Sequence, residues 1–291
     1  MGAVPSDTGQ SGWPYTWEEA IAWIRSRSEF QQLVLDAYYD DPLLSAATRY
    51  WRSEEWAAIR NILPRERGRA LDVGAGRGIA SYALAKEGFQ VVALEPNSSA
   101  VVGAQAIRNL AAECDLSIDV VQEPSERLPF GEKAFDIVFA RAVLHHTSDM
   151  AAACREFFRV LKPGGLLVAV REHVISRASD LAAFFQIHPL HQFYGGENAF
   201  LLKQYVGAIR AAGFGLQQVL APFDTPINYA PHTLQGLQSE VAQRIGGRIP
   251  GAQSVLNHAL RLPGVWSVVR ELLQRVDRRP GRLYSFIARR P

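Results

Sequence analysis

The chain has only two cysteines, Cys114 and Cys154, far apart in sequence and inside helix-like segments. No disulfide framework can be built from them. With no CxxC pair and no zinc spacing, no metal is expected, and two reduced, buried thiols remain as the reading. An excess of one charge is also missing. Thirty-one Lys and Arg stand against 29 Asp and Glu, a formal net charge of +2, which argues against a dedicated nucleic-acid or acidic-membrane surface. No apolar run approaches the roughly 18 residues that a membrane span needs. The opening MGAVPSDTGQSGWPYTW is polar and unlike a signal peptide, and Met1-Gly2 is a poor myristoylation signal with Ser6 and little else around it. A cytoplasmic protein is therefore expected. Lysine is scarce, at Lys86, Lys133, Lys162 and Lys203 alone, a bias towards arginine associated with GC-rich bacterial genomes. There is no internal repeat and no low-complexity tract.

What is present is an ordinary folded composition, 48% hydrophobic and 21% charged over 291 residues. Three amphipathic helical stretches come first. Thr16-x-x-Glu19 is a capping box for Trp17 to Arg25, Ser28 can cap a helix to about Tyr39 that stops at Asp41-Pro42, and Ser53 can cap EEWAAIRNIL. Their aromatic residues (Trp13, Trp17, Trp23, Trp51, Trp56, Tyr38, Tyr39, Tyr50) suit helix packing or a lid over a pocket. From residue 69 strands alternate with helices: RALDVGA, FQVVALEP, SIDVVQ, AFDIVFAR and LLVAVRE are strands, and IASYALAKEG, SSAVVGAQAIRNLAAEC and DMAAACREFFRVL are helices. Apolar strands interleaved with helices of this length specify a parallel sheet covered on both faces. Beyond residue 173 the pattern loosens into a helix (LKQYVGAIRAAGF), a sixth strand (GLQQVLAP), an irregular helical stretch over 232–280 and a last strand (RLYSFIARR).

The informative segment is Leu71-Asp72-Val73-Gly74-Ala75-Gly76-Arg77-Gly78, between a strand and a helix. Glycines there let the backbone turn sharply and approach a ligand, and the helix start offers unpaired N–H groups. The spacing is GxGxG, shorter than a pyrophosphate cradle. Asp72 in the strand would repel a pyrophosphate and suits a ligand with an ammonium group. Glu95 closes the second strand, where a carboxylate can take both hydroxyls of a ribose or simply be a solvated strand end before a turn at Pro96.

LDVGAGRG, VVALEPN, ERLPFGEKAFDIVFARAVLHHTSD and REFFRVLKPGGLLVAV occur in that order over about residues 69–172. The set resembles the class I methyltransferases that use S-adenosylmethionine, of the small-molecule group that includes ubiquinone/menaquinone methyltransferases. The resemblance implies an α/β fold: a Rossmann-like seven-stranded, mostly parallel sheet with helices on both faces, an N-terminal helical lid and a helical insertion before the last strand. Residues 1–65 would be the cap, 66–175 the cofactor-binding core, and 176–291 acceptor-binding insertions with the final strands. It further implies S-adenosylmethionine held by Asp72, Gly74, Ala75, Gly76, Gly78, Glu95, Pro96 and Arg141. Many relatives place an acid four residues before the Leu of LPF, for the adenine amine. Here Pro124 stands in that place, which leaves Glu123, Glu126 or groups near Ser125 for the contact.

Methyl transfer from a sulfonium gains most from holding the acceptor close and aligned, and an oxygen acceptor often needs a base. His146, after the fourth strand, and Glu172 and His173, after the fifth, are the candidates for base chemistry, although such a histidine can equally order the loop over the cofactor. His145 and the polar, aromatic stretch 188–200, with His188, His191, Tyr194, Glu197 and Asn198, suit a hydroxylated acceptor such as a sugar-containing or secondary-metabolite compound; Asn198 could instead start the next helix. The expected partner is that small molecule, with the protein a monomer or homodimer. The basic end, Arg278-Arg279 through Arg289-Arg290, reads as a solvated terminus. The rival readings are an NAD-dependent oxidoreductase and a catalytically silent subunit that binds S-adenosylmethionine.

Overall fold

The computed structural model describes residues 15–246, 252–262 and 264–291. Met1-Gly2, Ser6 and Trp13, which entered the reading of the N-terminus, lie outside the described residues. The capping box forms as the sequence predicts. Glu19 N donates to Thr16 Oγ1 (3.3 Å), Thr16 N donates to Glu19 Oε2 (2.8 Å), and α1 (Trp17–Arg25) buries Ala20, Ile21 and Ile24. Ser28 does not cap the second helix. It opens a 3-10 turn, Ser28–Phe30, and the shorter α2 (Gln31–Asp36) follows with no side-chain cap. A further helix, α3 (Leu43–Trp51), was not expected from the sequence. It starts behind Pro42 without a capping side chain and is held by burying Ala46, Ala47 and Tyr50. Ser53 caps α4 (Glu54–Arg60), its Oγ accepting Trp56 N at 3.1 Å.

The core then runs β1 (Arg69–Val73), α5 (Ile79–Lys86), β2 (Gln90–Leu94), α6 (Ala104–Glu113), β3 (Ile118–Val121), β4 (Phe135–Arg141), α7 (Met150–Val160) and β5 (Leu161–Ile175). The helix expected from residue 98 starts only at Ala104. Asn97 Oδ1 accepts Ser99 N (2.8 Å) and Ser99 Oγ accepts Val101 N (2.9 Å), and these local bonds compete with helix formation. After β5 come α8 (Leu181–Ile187), α9 (His191–Tyr194), β6 (Phe200–Leu201), α10 (Leu202–Ala211), β7 (Gly215–Leu220), α11 (Pro226–Tyr229), α12 (Leu234–Gly246), α13 (Ala252–Leu260), α14 (Val265–Val276) and β8 (Arg282–Arg289). Asn198 does not start α10; its Oδ1 accepts the adjacent Ala199 N, and Leu201 stands at the helix entry.

The sheet order is β3-β2-β1-β4-β5-β8-β7, with β6 a two-residue addition beside β5. All pairs are parallel except those of β8, which runs antiparallel to β5 and β7. Successive strand residues feed opposite faces. Val138 and Ala140 of β4 join Phe157 of α7 and Ile209 of α10 in one core, while Ile137 and Phe139 join Trp56 of α4 and Leu84 of α5 in the other. Two apolar faces explain why these strands read as nearly continuous hydrophobic runs. The chain leaves β1 in one direction and returns at β4 on its other side, so a crevice opens at their carboxyl ends, where ligands bind in such sheets. Among the described residues no helix is long and apolar enough to cross a membrane.

Candidate active site

Val73 ends β1 at this crevice, and the glycine loop follows. Gly74 has φ +59° and would place a Cβ 2.8 Å from Val143 Cγ2, so no larger residue fits without displacing the turn after β4. Gly76, at φ +55°, donates its N–H to Glu95 Oε2 at 2.8 Å. The other Glu95 oxygen accepts Asn97 N at 2.9 Å. Burial raises the Glu95 pKa. Glu95 thus splints the loop to the end of β2, beside Ala75, whose N–H bonds Leu94 O (3.1 Å). Pro96 is exposed at the turn beyond, and Gly78 caps α5.

Asp72 lies in the middle of the sheet, 1% exposed, and accepts Ser81 Oγ at 2.5 Å. It has no ion pair among the described residues. Burial, with Glu95 adding to it, pushes its pKa up to about 7. A buried carboxylate without a counter-ion at the foot of a glycine loop fits a ligand that brings its own cation.

The loop carrying the remaining cofactor candidates is tied elsewhere. Glu126 Oε1 accepts Ser148 N (2.8 Å) and Ser148 Oγ (2.9 Å), and Ser125 Oγ donates to Glu126 Oε2 at 3.1 Å. Glu123 is exposed. Arg141 is committed to α4: its Nε and Nη2 donate to Glu55 at 2.7 and 3.1 Å, and its guanidinium sits 5.2 Å from the centre of the Tyr50 ring. Burial alone would raise the Glu55 carboxyl, but Arg141 and Arg171 outweigh it and hold it below its ordinary value. Glu55 gave no signal in the sequence, because its partner lies 86 residues away.

The sequence also gave no role to Arg77. Its buried guanidinium donates to the carbonyls of Tyr38 and Asp40 (both 3.0 Å) and pairs with Asp41, fastening the segment after α2 to the glycine loop. Trp17 of α1 roofs that loop. Its ring stands 3.8 Å from where a Cβ on Gly76 would be, its Nε1 donates to Tyr39 Oη at 3.2 Å, and it packs on Tyr194. Tyr194 Oη donates to Glu197 Oε1 at 2.8 Å. The N-terminal aromatics therefore cover the crevice as well as packing helices.

Beyond the roof, histidines and acids from three segments meet. Glu172, 0% exposed, accepts the backbone N–H groups of Val143 and Leu144 (3.1 Å each) and His145 (3.0 Å), and bonds His145 Nδ1 at 2.7 Å. With all these bonds made, Glu172 orders the turn after β4 and is not presented to an acceptor. Burial would lower the His145 pKa, but Glu172 and Glu197 push it up to about 9. His146 is 39% exposed, and its Nδ1 donates to Gly196 O at 2.9 Å. Burial and His145 lower its pKa. His173 Nδ1 donates to Gly281 O at 3.0 Å, and burial holds this ring well below the ordinary value. Glu197 Oε2 lies 3.7 Å from the Nε2 atoms of His145, His146 and His188. Burial would raise the Glu197 carboxyl; the three imidazoles outweigh it and hold it far down. His191 instead stacks on Phe185 (ring centres 4.2 Å apart), and Asn198 bonds its own loop.

A family model described as a methyltransferase domain matches residues 71–169. Over this segment, about a third of the chain, the sequence is similar to that family. The chain is 35% identical over 123 residues to a ubiquinone biosynthesis O-methyltransferase of Methylobacterium nodulans, covering 42% of this chain and 48% of that one. It is 34% identical over 145 residues to a ubiquinone/menaquinone biosynthesis C-methyltransferase of Pseudoalteromonas translucida, covering 47% and 56%. The chain thus spans about half the length of the curated relatives it matches. Among solved structures it is similar to an S-adenosylmethionine-dependent methyltransferase from Mesorhizobium loti (TM-score 0.52, 18% identity, 83% of this chain and 100% of that one). It is also similar to the [4+2]-cyclase SpnF (TM-score 0.53, 21% identity, 84% and 82%). At these identities the structural likeness speaks for the Rossmann-like fold alone. S-adenosylmethionine dependence is what the Mesorhizobium loti structure is described by.

Proposed function

We propose that this protein transfers a methyl group from S-adenosylmethionine to a small-molecule acceptor, a hydroxyl of a sugar-containing or secondary-metabolite compound. The observation that carries the reading is Asp72, a buried carboxylate with no counter-ion, set beneath a GxGxG loop whose far side is braced by Glu95. Asp72 would take the ammonium of the donor's amino-acid end, and the close approach that the bare backbone of the glycine loop allows would hold its body. Glu95 keeps lone pairs for ribose hydroxyls. When bound, the donor supplies an activated methyl on sulfur with a good leaving group.

The protein's own work is then to exclude water and align the acceptor. Trp17, Tyr39 and Tyr194 form the roof that excludes water. The acceptor belongs beside the histidine cluster at the ends of β4 and β5. His146 is the base this arrangement favours: its Nδ1–H is spent on Gly196 O, so a neutral ring presents a bare Nε2, and its side chain is the most exposed of the cluster. His173 is the runner-up on the same tautomer argument but is more enclosed. Turnover of S-adenosylmethionine to S-adenosylhomocysteine with a panel of hydroxylated acceptors tests the reading. No turnover with tight cofactor binding would instead favour a silent, cofactor-binding subunit.

A further inference from the structure

Among the described residues, His145, His173 and Glu197 each bring one ligand atom within 4.8 Å of the others. His188 Nε2 stands 3.7 Å from the same Glu197 oxygen that His145 Nε2 faces at 3.7 Å. We propose that His145, His173, His188 and Glu197 form a binding site for a divalent transition-metal ion that pins the 188–198 loop to the carboxyl ends of β4 and β5.

The tautomers carry the argument. His145 Nδ1 faces a carboxylate oxygen of Glu172 and His173 Nδ1 faces the carbonyl oxygen of Gly281. Both partners only accept, so both Nδ1 atoms carry the proton and each ring turns its Nε2 inward, bare once an ion displaces the second proton of His145. Glu197 adds an anionic oxygen to the same space. Ring nitrogens and a carboxylate oxygen converge there at distances too long for hydrogen bonds to one another, an arrangement that a cation satisfies. A second proton on His145 does not resolve it: the Nε2–H would face Glu197 at 3.7 Å, beyond hydrogen-bonding reach. His188 would still face the same oxygen at 3.7 Å, and its buried Nδ1 has no hydrogen-bond partner among the described residues.

The spacing suits an ion. Zn–N and Zn–O bonds of about 2.1 Å put tetrahedral ligands about 3.4 Å apart. The 3.7 Å from Glu197 to His145 and to His188 then closes by a few tenths of an ångström, and the wider gaps, up to 4.8 Å within the His145–His173–Glu197 set, by up to about 1.4 Å. The His145–Glu172 bond is the kind of carboxylate contact by which metal-bound histidines fix the ring and raise its basicity. The sequence offers no ligand spacing because the four residues come from the turn after β4, from β5 and from both ends of the loop. His146 Nε2 faces the same Glu197 oxygen at 3.7 Å, but its ring is the most exposed of the group, which leaves it open to the acceptor. The site does not depend on the methyl-transfer reading, since ion binding is measured on the protein alone.

Metal-stripped full-length protein is titrated with Co²⁺ and then Zn²⁺. The expected result is saturable visible absorption from a single equivalent of tetrahedral Co²⁺, displaced by Zn²⁺. Glu197→Gln and His188→Ala, each checked for folding by circular dichroism, should weaken binding about 100-fold or more. Zn²⁺ should also slow proteolysis within 188–198 in the unsubstituted protein but not in Glu197→Gln. Absence of saturable binding, or binding that both variants leave unchanged, would overturn the proposal.

Discussion

Replacing Asp72 by Asn should remove a pH dependence of stability that the fold builds in. The native Asp72 has a pKa of about 7 against an ordinary 3.8, so the native state holds its proton more tightly than the unfolded chain does. The contribution is fully present below the unfolded value and is lost as pH rises through the native one, at about 1.4 kcal/mol per pH unit. Between pH 5 and about 7 that amounts to about 3 kcal/mol, and above pH 7 the loss levels off. Asn keeps the shape and can still accept from Ser81, but it does not titrate. Urea unfolding of both proteins without cofactor, at pH 5 and pH 8, measures the difference. The unsubstituted protein should lose about 3 kcal/mol more than Asp72→Asn over that interval, and parallel profiles would refute the reasoning. The cofactor's ammonium should reverse the effect. Its binding near pH 6 should expel a proton from the unsubstituted protein and none from the variant, readable by calorimetry in buffers of different ionisation enthalpy.

Other perturbations separate the parts of the site. His146→Ala should lower kcat about 100-fold while leaving cofactor affinity unchanged, as expected for a general base; unchanged turnover would leave proximity alone as the source of the rate. Gly74→Ala combines φ +59° with a Cβ 2.8 Å from Val143 and should abolish measurable cofactor binding in a calorimetric titration. Glu55→Gln strands Arg141 and Arg171 in the interior and should cost about 3–5 kcal/mol in urea unfolding. Glu55→Leu should cost no less, because the two guanidinium groups remain unpaired.

The parts of this molecule that were legible in the sequence are those whose physics is local. The β1–glycine loop–α5–β2 unit follows from short apolar runs, a GxGxG turn and an acid at each strand, and it stands where the sequence put it. The Thr16 and Ser53 caps were equally readable, because the donor and acceptor lie three residues apart. Helix α3 was not, since Pro42 offers no capping side chain and only tertiary burial of Ala47 and Tyr50 holds the helix. Carboxylates at strand ends were the hardest. Glu172 looks the same in sequence whether it faces a substrate or three backbone N–H groups, and it does the second. Arg141 was expected at the cofactor and turns to Glu55 instead. Nothing near Arg141 in the chain signals a partner on α4. Likewise, Arg77 sits among glycines that read as cofactor contacts, yet its guanidinium holds the chain after α2 in place.

The most direct test of the central claim is a parallel calorimetric titration with S-adenosylmethionine, S-adenosylhomocysteine and NAD(H). Micromolar binding of both adenosyl ligands, weakened severely by Asp72→Asn and with none for NAD(H), is the expected result. Binding of NAD(H) alone would make the protein an oxidoreductase and contradict the placement of Asp72 and Glu95 at a methyl-donor site.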